Sequence, residues 1–173
     1  MSRAGDLIAG GSRSQLLLVL GCAAGAALLA GSQFTNVFEL KPPGQGVLGT
    51  VEASDQHGYV TLVLAGLSLL LLVTAIAASS ESLAQGAAFA VAVCGVVALL
   101  IFLLIDLPDA GTIGALDEDT FLDAEAEPAA GFWFELAGSL LLTGCGSALA
   151  ARGMTSPEKP GTTGTGASKT ESG

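Results

Sequence analysis

Residues 59–78 read YVTLVLAGLSLLLLVTAIAA, 20 residues without a charge. A helix rises about 1.5 Å per residue, so about 20 residues cross a hydrocarbon layer of about 30 Å. Working outward, the chain repeats this pattern. Residues 86–105 (GAAFAVAVCGVVALLIFLLI) are uncharged, and residues 132–151 (FWFELAGSLLLTGCGSALAA) are broken only by Glu135. Toward the N-terminus the uncharged stretch runs over 14–38, with its most apolar part at 16–30 (LLLVLGCAAGAALLA). Membrane strands alternate in polarity and these runs do not. Inside lipid every backbone N–H and C=O must bond within its own segment, so four runs predict four α-helices. The expected fold is all-α: a four-span transmembrane helical bundle over residues 1–152, with spans at about 15–33, 59–78, 86–105 and 132–151.

Composition agrees. Of 173 residues 51% are hydrophobic and 13% charged, about half the charge of a soluble domain. The net charge of −10 with six Lys and Arg excludes a nucleic-acid footprint. Two other readings of the first run stay open. As a signal peptide it would use Arg3 and Arg13 as its charged region and be cut after residues 28–30, leaving three spans; Leu28 is large for that cleavage site. As a lipoprotein signal it would end at Cys22, yet the apolar run continues past that residue.

Orientation follows the basic residues. Arg3 and Arg13 precede the first span, and Arg152, Lys159 and Lys169 follow the fourth; only Lys41 lies in a loop between spans. An even number of crossings puts both termini on one side, here the cytoplasm. Eleven of the sixteen acidic residues fall in the two loops on the other side. Phe34, Tyr59, Phe102, Phe132, Trp133 and Phe134 cluster near that boundary, where aromatic rings suit the headgroup level. The lipid bilayer is the expected first partner.

The short loop at residues 79–85 forces an antiparallel helix pair. In loop one, alternating apolar residues on either side of 42–46 (PPGQG) suggest a β-hairpin. In loop two, the acidic run from Asp117 up to Pro128 suggests a short helix near 118–126. Residues 153–173 (GMTSPEKPGTTGTGASKTESG) are Gly-, Ser- and Thr-rich and read as a disordered cytoplasmic tail; residues 1–14 are expected to be loose as well.

Three polar residues are the functional candidates. Glu135 is the one ionisable residue inside a predicted span, and such residues are functional hypotheses by default. It lies three residues past Phe132, near the outer boundary, so the expectation is an interfacial anchor, with a transport or binding role as the alternative. Asp106, ahead of Pro108, ends the third span in the same way. His57 is the only histidine, an outer pH-sensitive contact at most. Cys22, Cys94 and Cys145 share a depth inside the spans, where cysteine serves as a small apolar residue. No CxxC pair, Walker loop, HExxH or GxSxG occurs, and the acidic run lacks the glycine of an EF-hand. No catalytic, cofactor-binding or metal-binding residues are assigned. Gly21 and Gly25, spaced as GxxxG, are the candidate helix-packing pair.

The fourth span with its flanks (Gly131-Phe132-Trp133-Phe134-Glu135-Leu136-Ala137-Gly138, then Leu140 to Gly144, ending at Arg152) resembles the last helix of small four-helix membrane proteins of high-GC Gram-positive (actinobacterial) bacteria. The resemblance implies a plasma-membrane location. The expected role is a non-catalytic structural or accessory subunit of an envelope assembly, with a membrane-protein partner or a homo-oligomer. The alternatives are a small oligomeric transporter or channel, or a membrane sensor with an acidic outer loop.

Overall fold

The computed structural model describes residues 3–42, 46–52, 58–111, 113–115 and 123–153. Helix α1 (Arg3–Ser32) leads into strands β1 (Asn36–Lys41) and β2 (Gly49–Glu52). Helix α2 (Val60–Ala77) and helix α3 (Glu81–Ile101) follow, and α3 runs on through a π turn (Phe102–Asp106) to Asp109. Strands β3 (Ile113–Ala115) and β4 (Asp123–Pro128) precede helix α4 (Ala130–Gly153). The protein is mostly helical, and four of its helices are long and apolar enough to cross a membrane.

The helices form a ring in which α1 touches α2 and α4, and α3 touches α2 and α4. Neighbours are antiparallel because each connection returns the chain. Glycines set the closest approaches. A Cβ built at Gly25 would lie 2.9 Å from the Gly138 carbonyl oxygen, and one built at Gly138 would lie 2.8 Å from that of Gly25. Gly21 leaves room for the Cys145 side chain, while Gly95 and Gly146 bring α3 and α4 together. The GxxxG pair of α1 therefore packs against α4 of its own chain. With no water to expel between helices in lipid, such close backbone contact is what holds a bundle together.

Leu29, Leu72, Val91 and Leu142 lie in the core as in a soluble bundle, but large apolar side chains also cover the outside. On α2 the inward residues are Thr61, Ala65, Ser68 and Leu72, at spacings of four, three and four. Its exposed residues include Val63, Leu67, Leu70, Val73 and Ile76. On α3 the inward line is Ala88, Val91, Ala92, Gly95 and Ala98, while Phe89, Val96, Leu100 and Leu104 point out. Small and hydroxyl-bearing side chains make up most of these inward lines and large apolar ones cover the outside.

At one end the two long loops merge into a single antiparallel sheet in the order β2-β1-β4-β3. The hairpin expected in loop one is present, with Leu40 opposite Gly49. Loop two differs from expectation: residues 123–128 form strand β4, and the rest of the expected helix, 118–122, lies outside the described residues. Glu125 and Glu127 are exposed and Ala126 is buried, so the segment alternates with period two and adds to the free edge of β1. The Lys41 ammonium reaches Glu127 at 2.7 Å and Glu39 at 3.1 Å. These two carboxylates, Glu127 foremost, hold the lysine above its usual pKa. The sheet docks on the bundle through Val37, Phe38 and Ala126, which meet Phe102 and Phe132.

The first helix also begins earlier than expected. Residues 3–14, read as loose, continue α1, because extending an existing helix costs far less than starting one. The tail lies outside the described residues except for Gly153, which closes α4.

Candidate functional site

The polar residues of the interior collect near the sheet end. Ser32, Gln33, Thr61, Asp106, Glu135 and Ser139 are all buried, and each helix supplies at least one of them. The close contact of Gly138 with Leu29 places Ser32, nearly one turn on, level with Glu135, nearly one turn back on the antiparallel helix. Gln33 donates from Nε2 to the Thr61 hydroxyl, joining α1 to α2. The hydroxyls of Ser32, Ser139 and Thr143 donate to carbonyls of their own helices. That arrangement spares them a partner on another helix and lets them sit inside a dry bundle.

Asp106 and Glu135 are the two ionisable members, and both have no exposed surface. Asp106 closes the π turn. The Leu107 N–H bonds back to the Phe102 carbonyl, five residues earlier. Asp106 stays on the inward line with Phe102, four residues before it. Pro108 supplies a reason for the irregularity: it lacks an N–H and its ring crowds the preceding turn. Glu135 sits on the inward line of α4, formed by Phe132, Ser139, Leu142, Gly146 and Ala150. Both acids belong to the buried polar layer, while Asp109, three residues past Asp106, is exposed. Ionisable groups buried in an interior are a place where a proton or a small cation changes its charge.

Glu135 thus departs from the expected interfacial anchor. Counting residues from Phe132 gave its depth along the helix but not its direction around it, and the direction is inward. Asp106 likewise turns inward instead of ending its helix at a surface. The structure buries both. His57 lies outside the described residues. The cysteines are free: Cys22 and Cys94 are buried and Cys145 is half-buried. Among the described residues no group of three or more His, Cys, Asp or Glu side chains is arranged to hold a metal ion. Gln33 and Thr61 were not singled out from the sequence; their signal is a Gln and a Thr at the ends of two adjoining apolar runs.

No protein-family model, curated protein or solved structure matches this chain.

Proposed function

We propose that the chain is a four-span integral protein of the plasma membrane, with both termini in the cytoplasm and the sheet outside. We propose that it serves there as a non-catalytic structural or accessory subunit of an envelope assembly. One observation carries the membrane reading: large apolar side chains cover the outside of all four helices while Thr61, Ser68 and Ser139 lie inside. In water that surface would be an aggregation hazard; in lipid it is the required one. The basic residues support the orientation, since Arg13 and Arg152 mark the end away from the sheet and only Lys41 stands on the sheet.

The subunit role rests on α2. Its inward face is narrow, and its outer face shows Val63, Leu67, Leu70 and Val73. Gly66, with open space where a Cβ would be, interrupts that face. Large side chains beside a glycine notch suit a helix of another protein. A photo-crosslinking amino acid at Leu70, activated in native membranes, is expected to give one dominant protein adduct. A yield no greater than from the same probe at Leu16, on α1, would remove the subunit reading.

The second reading, a small proton- or cation-linked transporter, is favoured by the buried Asp106 and Glu135. Glu135→Gln and Asp106→Asn keep size and remove charge. Under the subunit reading the crosslinked complex survives both changes. Flux through reconstituted vesicles that is abolished by either change would put the transporter in its place.

A further inference from the structure

At the end away from the sheet, a cavity of about 480 Å³ opens between all four helices, within the range of about 300–1,000 Å³ typical of ligand sites. Its lining is sorted along the bundle axis. Leu72 and Ala88 are buried at its floor, and Val19, Ala75 and Leu149 line its walls. The polar residues are Ser14 and Gln15 of α1, Glu81 and Gln85 from the first turns of α3, and Arg152 at the end of α4, and they form the mouth.

The cavity exists because α2 stops packing early. Its last inward residue is Leu72, and the chain continues to Ala77. The other helices are tied together at this level. Arg152 donates to the Ser14 hydroxyl at 2.9 Å, joining α4 to α1, and Gln85 Nε2 donates to the Ala150 carbonyl at 3.2 Å, joining α3 to α4. These bonds hold the mouth open as a fixed polar rim above an apolar interior.

We infer that this cavity takes one acyl chain of a phospholipid, with the lipid phosphate against Arg152. The inference rests on the membrane reading given above. Polarity supplies the argument. A charged mouth over an apolar floor, aligned with the helix axes, matches an amphiphile lying parallel to the surrounding lipid. Arg152 at the rim favours a phosphate; basic sites between helices on the cytoplasmic side are known lipid-headgroup positions. The chain's own tail is a poor occupant, because residues 154–173 hold only Met154 and Ala167 as apolar side chains.

The test is native mass spectrometry of the full chain purified in mild detergent. One phospholipid per chain is expected on the wild type. Ala84→Phe, which fills the cavity, should remove it. Arg152→Gln, which leaves the cavity open, should lower its occupancy several-fold. A wild type without bound phospholipid overturns the inference, as does equal occupancy in both variants. Should Ala84→Phe fail to fold, Arg152→Gln alone decides. Carbonate washing of the source membranes separates the two levels: a protein that stays in the membrane yet carries no lipid sinks only this site, whereas a protein released by carbonate sinks the membrane reading itself.

Discussion

Gly95→Val is expected to destroy the bundle, costing more than about 3 kcal/mol, the upper end for overpacked sites. A Cβ built at Gly95 would stand 2.5 Å from the Thr143 backbone nitrogen, 2.7 Å from its hydroxyl and 2.8 Å from the Leu142 Cβ. The nearest of these is backbone, in the middle of α4, and cannot swing aside. Relief requires α3 and α4 to separate, and α4 is also pressed against α1 at Gly25 and Gly138. The strain therefore spreads through three helices. Gly66→Ala is the matched comparison, because nothing lies within 4 Å of its built Cβ. Alanine is the better helix former by about 0.5–1 kcal/mol, so this variant should be as stable as the wild type or more so. Thermal unfolding in detergent, followed by helical circular dichroism, measures both. Equal midpoints for the two variants would show that the α3–α4 contact is not held by glycine.

Phe132→Ala is expected to cost about 3–5 kcal/mol, the range for a buried phenylalanine, and to act mainly on the docking of the sheet. Phe132 is 4% exposed. Its ring centroid lies 4.6 Å from that of Phe102 and 5.8 Å from that of Phe38, both in tilted contact. It thus joins α3, α4 and β1 at one point. Removing it leaves a void beneath the sheet, while the glycine contacts deeper in the bundle are untouched. Amide exchange should speed up in β1 and β4 and change little in α1 and α3. Phe134→Ala, two residues along and 37% exposed, should leave exchange in the sheet nearly unchanged. A uniform acceleration through all four helices would mean that the sheet and the bundle unfold as one unit.

The helices were legible because their signal is local and strong. The runs are about as long as a membrane crossing needs and nearly free of charge, and each helix ends within a few residues of its run, α1 at the N-terminal side excepted. The β1–β2 hairpin was legible for the same reason: alternation and a turn lie next to each other in the chain. Strand β4 was not. Its sequence, DAEAEP, alternates acids with alanine, but the acids were read as favouring a helix start. What decides its conformation is the edge of β1, 88 residues away in the pairing of Glu39 with Glu127, and no local window contains that edge.

The site was half legible. Glu135 and Asp106 stood out as acids near the ends of apolar runs. Their direction around the helix was not taken from the sequence, although a clue was present. Gly138, Ser139 and Gly146 are small, lie three, four and eleven residues after Glu135, and mark the face of α4 that other helices approach. A glutamate on that line points inward. For Asp106 the like clue is Gly95, eleven residues before it on the inward line of α3.

Side-specific cysteine labelling tests the central claim most directly. In a chain whose three native cysteines are replaced by alanine, Val47→Cys places a thiol on the exposed β1–β2 connection and Ser79→Cys one on the exposed α2–α3 turn. The account predicts that a membrane-impermeant maleimide modifies position 47 in intact cells, and position 79 only after the membrane is opened. Labelling at 79 but not 47 would invert the protein, and equal labelling of both in intact cells would contradict a bundle that spans the bilayer.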